Sequence, residues 1–440
     1  MSLSVPLPIV AIIGRPNVGK STLFNRLVKT HQAIVDDTPG ITRDRLYREC
    51  SWNGVDFMLV DTGGLLVGAD DILEAKVTAQ ARVAIDQADL IVFLIDSQVG
   101  ALEEDLKIAR DLKRVSKKVI IAPNKVDSME QEAPATEFYS LGFKSLIPVS
   151  AANGLNTGDL LDEITANLPK GGQEEEDVDI RVAIVGRPNV GKSSLVNTMT
   201  GKNVTIVADL PGTTRDAIDT KCEANGKRYL LIDTAGLKKK TSYKDQLEFY
   251  TALRTLRALG RCDIAVLLID SLDGLVGNDL KIANEAMDLH KGLIFVYNKW
   301  DIAEKDPKSV DKISKALAEK VPEYSHVPIL FISALTGLRV NRVWEKIDEV
   351  SLERKKRVET SELNKFITAV VAKQPPAARR GKFIKIYYAT QAEGDPPTFI
   401  FFSNHPELLD TSYKRYIENN MRATFGFDGV PLKMVFKRRK

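Results

Sequence analysis

The sequence predicts an α/β chain: two tandem domains, each a mostly parallel sheet with helices on both faces, followed by a smaller α+β unit. Three observations predict it. The octapeptide GRPNVGKS occurs at 14–21 and again at 186–193, each time after a short apolar run and before a helical pattern. Further segments recur downstream at nearly the same offset: DTPGITRD (37–44) with DLPGTTRD (209–216), VDTGGL (60–65) with IDTAGL (232–237), DLKIA (105–109) with 279–283, NKVD (124–127) with NKWD (298–301), and SAANGL (150–155) with SALTGL (333–338). That period, 172 residues at the start and 183 at the end, is far too long for a solenoid repeat and marks two whole domains. After about Glu349 the repeat stops and the composition turns basic.

Within each copy, apolar runs alternate with helical patterns. In the second, VAIVG reads as a strand, GKSSLVNTMT as the start of a helix, RYLLIDT and DIAVLLID as strands, NDLKIANEAM as a helix, and GLIFVYNK and VPILFISA as strands. Short β-rich runs between helices pair in parallel and are buried on both faces. Asn53-Gly54 and Asn225-Gly226 are hairpin signals just before DTGG and DTAG, so each sheet is expected to carry one antiparallel strand. KGGQEEEDVD (170–179) is linker chemistry, flexible and self-repelling. In the tail, SLERKKRVETSELNKFITAVVAK reads as one helix, FIKIYYATQ and TFIFFSN as strands, PELLDTSYKRYIENNMRATFG as a helix and VPLKMVFKRRK as a last strand. The expected boundaries are 1–170, a linker at 171–178, 179–350, and 351–440.

A length of 440 residues suits about three domains. With 44% hydrophobic and 28% charged residues the chain reads as soluble and globular. No apolar run approaches the roughly 20 residues of a membrane span, and the N-terminus lacks the basic start of a signal peptide. Cys50, Cys222 and Cys262 are too few for a disulfide framework; the first two are 172 residues apart and read as equivalent strand positions. The 4 histidines lack metal-ligand spacing. A reducing cytoplasm fits best. The net charge of +3 is uneven: Ser351–Lys440 carries +9, leaving −6 on the rest. The basic end is the part to suspect of meeting phosphates, the alternative being a solvated surface.

G-x-x-x-x-G-K-[ST] between a strand and a helix is a phosphate-binding loop. Gly14, Gly19, Gly186 and Gly191 let the backbone wrap a phosphate, and the helix N-terminus adds partial positive charge. Lys20 and Lys192 would reach the β/γ-phosphates; Ser21 and Ser193 would ligate Mg²⁺, and the adjoining Thr22 and Ser194 join the nucleotide-binding set. Asp61 and Asp233 open D-x-x-G, where a carboxylate holds Mg²⁺ and Gly64 or Gly236 lets its N–H approach the γ-phosphate. Thr42 and Thr214 are the expected switch threonines closing on Mg²⁺ and the γ-phosphate, with Thr213 an equally placed rival in the second copy.

N-K-x-D reads the base. Asp127 and Asp301 accept two hydrogen bonds from guanine N1–H and its N2 amine, which adenine cannot supply. Asn124 and Asn298 bind the base edge and brace the phosphate loop, Lys125 and Lys299 lie over the ring, and the turns Ser150-Ala151 and Ser333-Ala334 cover the base with a backbone N–H. Four motifs in order, twice, select GTP over ATP.

With these motifs and this tail the chain resembles the translation-factor-related GTPases, and specifically the Der (EngA) family, bacterial GTPases with two tandem G domains and a C-terminal KH-like domain. The resemblance covers nearly the full length. It implies GTP hydrolysis to GDP and phosphate, and a role in assembling or stabilising the large (50S) ribosomal subunit, with that subunit and its rRNA as partners. A monomer is expected. In related GTPases an Asn at the position of Asn17 and Asn189 ligates K⁺; the other reading is an Asn filling a turn. Where Ras-like enzymes orient water with Gln, this chain has Leu65 and Leu237, so intrinsic hydrolysis should be slow. The switch regions differ, DTGGLLVGADDILEAK against DTAGLKKKTSYKDQ, so they should meet different surfaces. RNA-binding KH domains clamp the nucleic acid with G-x-x-G between two helices. Here GFDG (426–429) falls between the last helix and the last strand, which leaves rRNA contact through Arg379, Arg380, Lys382 and the tail, or docking against the G domains. The leading expectation is a GTP-hydrolysing switch; the competing one is a nucleotide-stabilised ribosome-binding scaffold with incidental turnover.

Overall fold

The computed structural model describes residues 8–32, 47–62, 84–85, 87–128, 136–168, 178–201, 205–206, 219–232, 244–303 and 319–439. Backbone packing divides the chain into two compact units, one chiefly Pro6–Glu174, the other chiefly Glu175–Thr241 and Thr255–Lys440.

The first unit contains β1 (Ile9–Ile13), α1 (Lys20–Gln32), β2 (Tyr47–Trp52), β3 (Val55–Asp61), β4 (Leu90–Asp96), α2 (Glu103–Leu112), β5 (Lys118–Asn124), β6 (Ser145–Leu146) and α3 (Thr157–Asn167). The strands order as β2-β3-β1-β4-β5-β6, with only β2 antiparallel to its neighbour. IVAII and LIVFLID are buried along their whole length, as strands covered on both faces must be. The reversal lies at Asn53-Gly54, both at positive φ (51° and 76°), a backbone that Asn and Gly adopt at least cost.

The second unit repeats the plan. It contains β7 (Ile180–Val185), α4 (Lys192–Met199), β8 (Thr205–Ile206), β9 (Thr220–Ala224), β10 (Lys227–Ile232), the end of α5 (Lys244–Arg261), β11 (Ile264–Asp270), α6 (Gly277–Asp288), β12 (Gly292–Asn298), β13 (Ile329–Phe331) and α7 (Asn341–Lys355). Its order is β13-β12-β11-β7-β10-β9-β8. β9 is the antiparallel strand, and β8 is a two-residue edge strand that the sequence did not suggest. Cys50 faces Phe57 on β2/β3 and Cys222 faces Tyr229 on β9/β10, so the two cysteines do occupy equivalent positions. None of the three cysteines is in a disulfide, and all three are buried.

The tail follows as α8 (Thr360–Lys373), β14 (Ile386–Gln391), β15 (Thr398–Ser403), α9 (Thr411–Phe425) and β16 (Lys433–Arg438), the expected α-β-β-α-β order. β15 pairs antiparallel with β14 and parallel with β16. One expectation needs correction. SLERKKRVETSELNKFITAVVAK is two helices, because Val358 turns into the core and is only 9% exposed. Gln391 satisfies the broken backbone, accepting from Val358 N at 2.8 Å and donating to Lys356 O at 2.9 Å. The boundary expected at residue 350 thus falls inside α7.

Tail and second sheet share one core: Val343, Ile347 and Val350 of α7 join Val358, Phe366, Phe399, Phe401, Phe427 and Val430 in a single buried cluster. GFDG closes this seam. Phe427 N donates to Glu353 Oε2 at 2.7 Å, Gly429 N to His326 O at 2.7 Å, and Leu293 N to Gly429 O at 2.8 Å. A side chain at Gly429 (φ 70°) would meet Leu293 O and Val350 Cγ2 at 2.9 Å each. Arg354 donates to His290 O at 2.9 Å and pairs with Asp395 at 2.8 Å.

Two histidines sit at this seam. Burial, aided by Lys433, Arg354 and Lys291, pushes His290 down to about 4; burial and Arg422 push His326 down to about 3, against a backbone hydrogen bond at Glu323 that favours its charged form. Both stay neutral in the folded chain while the unfolded chain protonates below its ordinary value of about 6.5. Stability present above pH 6.5 is therefore lost as pH falls towards 4 and then 3, at up to about 1.4 kcal/mol per pH unit for each histidine. The thermal midpoint of the full chain should fall between pH 6.5 and 4, and His290→Asn, which tolerates the positive φ of 52° there, should flatten the fall. An identical pH profile for wild type and variant would contradict this account.

Candidate nucleotide-binding sites

Both sites lie at the carboxyl ends of the central strands, where an open α/β sheet leaves a crevice. β1 delivers Gly14–Lys20 into the N-terminus of α1. The turn requires its glycines: a Cβ at Gly14 would meet Leu94 O at 2.3 Å, and one at Gly19 (φ 96°) would meet Asn124 Nδ2 at 2.4 Å. Gly186 and Gly191 repeat this at 2.4 Å from Leu268 O and 2.3 Å from Asn298 Nδ2. Lys20 Nζ folds back onto Gly14 O (2.9 Å) and Arg15 O (2.8 Å), and Lys192 Nζ onto Gly186 O (2.8 Å) and Arg187 O (2.6 Å), bringing each ammonium to the mouth of its loop. Burial pushes the Lys20 pKa down; the charge of Asp61 works against that shift and Arg15 adds to it.

Asp61 ends β3, beside Ile12 in the register of β1, and is buried, while Ser21 and Thr22 begin α1 and are exposed. Ser193 is half-buried and Ser194 exposed in the equivalent turn. Carboxylate and hydroxyl oxygens are hard donors, the set that fits Mg²⁺. Asn17 and Asn189 are exposed and both have φ 65°. That left-handed backbone accounts for Asn at this position whether or not its oxygen also meets a cation.

In each N-K-x-D segment the asparagine bridges two loops. Asn124 Nδ2 donates to Val18 O at 2.7 Å and its Oδ1 accepts from Ala151 N at 2.9 Å, tying phosphate loop, β5 and SA turn together; Asn298 does the same with Val190 O (2.7 Å) and Ala334 N (2.8 Å). Asp127 is held by Ser150 Oγ at 2.7 Å and Asn153 Nδ2 at 3.0 Å. In both copies the serine Oγ accepts from the backbone N–H three residues on, Asn153 N at 3.0 Å and Thr336 N at 3.2 Å; the second copy differs in having Thr336 in place of Asn153, and its Asp301 is half-buried. Thr42, Gly64, Leu65, Thr213, Thr214, Asp233, Gly236 and Leu237 lie outside the described residues, as do 171–177 of the linker.

Two partnerships escaped the sequence reading. Lys125 (φ 68°) and Lys299 (φ 63°) pair with Asp96 and Asp270, each at 2.5 Å, which fixes the lysine stem that would cover the base. Burial works to raise the Asp270 pKa, but the Lys299 hydrogen bond and charge hold it below the ordinary value. Arg15 Nε pairs with Asp105 at 3.2 Å, and Arg187 with Asp279 at 3.2 Å and Asp273 at 3.0 Å, pinning the first phosphate loop to α2 and the second to the start of α6. Burial raises the pKa of Asp105 and Asp279, against the arginines. The signal was available: Asp96 and Asp270 repeat at the offset of the DLKIA segments, which themselves carry Asp105 and Asp279.

Among the described residues no helix is long and apolar enough to cross a membrane, and no group of three His, Cys, Asp or Glu side chains is placed to hold a metal ion.

Comparison with known proteins agrees with this geometry. A family described as 50S ribosome-binding GTPase matches residues 9–125 and 181–299, and one described as the C-terminal KH-domain-like region of EngA bacterial GTPase enzymes matches 357–437. GTPase Der of Desulforamulus reducens is 48% identical over 437 residues, and that of Moorella thermoacetica 48% over 434, with 99% of both chains covered in each case. Among solved structures, Aquifex aeolicus Era bound to GDP·AlF4⁻ is 21% identical, covering 59% of this chain and 92% of its own, with a TM-score of 0.31. Two guanine-reading P-loop frames and a KH-like tail, matched over nearly the whole length, make this chain a member of the Der family of GTPases.

Proposed function

We propose that the protein is a cytoplasmic, monomeric GTP-driven switch acting in assembly or stability of the large (50S) ribosomal subunit. The observation that supports this reading is the pairing of two N-K-x-D segments, each bridged to its SA turn by an asparagine, with a net-basic tail that shares a core with the second. GTP and GDP would bind with Mg²⁺ held by Ser21, Thr42 and Asp61 in one site and Ser193, Thr214 and Asp233 in the other. Lys20 and Lys192, with the backbone at Gly64 and Gly236 and the threonines, would stabilise charge on the γ-phosphate. The domain division we propose has G domains at 1–170 and 179–350, an acidic linker at 171–178, and a KH-like domain from 351, the last junction lying within α7 and not in a loop.

Single-turnover GTP hydrolysis with and without purified large subunits tests the switch. Stimulation of at least tenfold is expected, because Leu65 and Leu237 leave the attacking water without an orienting amide. Unstimulated turnover with intact ribosome association would favour the nucleotide-stabilised scaffold.

K⁺ is proposed as a further cofactor at Asn17 and Asn189. Hydrolysis should be faster in KCl than in NaCl at equal ionic strength. Asn17→Gly with Asn189→Gly should erase the difference, since glycine keeps φ 65° and removes only the oxygen. Equal rates in the two salts for the wild-type chain would refute K⁺ binding.

A further inference from the structure

The KH-like domain presents aromatic side chains to solvent on the sheet face opposite its core. Along β14–β16 the register separates two faces. Ala389, Phe399 and Phe401 point into the core, while Tyr388 pairs with Phe402, and Phe402 with Lys437, on the other side. A bulge between Ile386 and Tyr388 puts consecutive tyrosines outward. Tyr387 is 43% exposed, Tyr388 37%, and Phe383, just before β14, 78%. Tyr388 and Phe402 are stacked at 4.5 Å, and the Arg439 guanidinium lies 4.9 Å over the Tyr387 ring. Asn404 ties this corner together by donating to Phe383 O at 2.9 Å and accepting from Lys385 N at 2.8 Å. Lys382, Lys385, Lys437 and Arg439 are exposed around the rings. Arg438 is engaged with Glu407 at 3.5 Å, so it is not counted among the available cations.

Exposed rings interleaved with cations on a sheet suit one occupant well. Unpaired RNA offers bases that stack on rings and phosphates that meet Lys and Arg; a duplex hides the base faces, and a protein partner would favour rings without this charge excess. We propose that this face is a stacking platform for a short unpaired RNA segment, with bases on Phe383, Tyr387 and Tyr388 and phosphates on Lys385, Lys437 and Arg439. The platform replaces the inter-helix clamp that GFDG cannot form, because Phe427 and Gly429 are committed to the seam. The proposal rests on the ribosome-binding reading above and specifies its chemistry.

The test uses the full chain, a 12-nucleotide oligouridylate, the same oligomer carrying 2-aminopurine, and an RNA duplex of equal length. Single strands should bind tighter than the duplex at equal salt and quench 2-aminopurine. Phe383→Ala or Tyr388→Ala should weaken single-strand binding about tenfold without changing its salt slope, and Tyr388→Trp should retain it. Lys437→Ala should reduce the slope by about one. GTP turnover without RNA should be unaffected in these variants, which confirms folding. Duplex binding as tight as single-strand binding, or unchanged affinity in both aromatic variants, overturns the platform while leaving ribosome association untouched. Loss of association between the wild-type chain and large subunits would instead overturn the underlying reading.

Discussion

Asp127→Asn is expected to weaken GTP binding to the first G domain about a thousandfold, and Asp301→Asn to do the same in the second. The amide turns an NH₂ towards the donors of guanine, so two charge-assisted hydrogen bonds are lost and a donor faces a donor; a thousandfold is about 4 kcal/mol. Affinity for xanthosine triphosphate should rise, because its C2 oxygen accepts what the amide now donates. Asp127 is held by Ser150 and Asn153, so its swap also disturbs the turn over the base. Titrating single mutants of the full chain with a fluorescent GTP analogue should remove one of two binding phases each. Two unchanged phases in both mutants would reject the assignment.

Gly19→Ala and Gly191→Ala should each abolish measurable binding in their own site, a loss of at least a hundredfold. The added carbon would lie 2.4 Å and 2.3 Å from the amides of Asn124 and Asn298, at φ 96° and 99°, a backbone that L side chains rarely adopt. Those amides are also the bonds from base strand to phosphate loop, so the clash separates the two halves of the site. Stoichiometry should fall to one nucleotide per chain in either mutant. A stoichiometry of two with near-normal affinity would show that the loop relaxes around the methyl group.

Much of this was legible in the sequence, for identifiable reasons. Central strands such as LIVFLID and GLIFVYN are apolar up to the polar residue at their carboxyl end because they are covered on both faces, and Asn-Gly marks the reversals because both residues take positive φ. The N-K-x-D and SA segments were readable as a pair because their chemistry needs both ends of one bridge, which Asn124 and Asn298 supply. The Asp96–Lys125 and Arg15–Asp105 pairs were not read, because long-range ion pairs leave no periodicity, only a repeated letter. The break between α7 and α8 was hidden by good helix formers on both sides; what ends the first helix is burial of Val358 and the side chain of Gln391, distant in sequence. GFDG drew attention as a failed nucleic-acid clamp, whereas its positive-φ residues Gly426, Phe427 and Gly429 serve the join to the second sheet.

That join has a mechanical meaning. β12 starts where Leu293 N–H holds Gly429 O and ends at Asn298, one residue before the lysine that pairs with Asp270. At about 3.3 Å per residue the six residues from Leu293 to Asn298 span roughly 17–20 Å. They form a strand buried along its whole length, with the KH-like domain joined at one end and the N-K-x-D segment at the other. The proposed stacking face thus shares one buried core with the sheet of the second nucleotide site, so a tilt of that sheet is expected to carry the rings of Phe383 and Tyr388 with it.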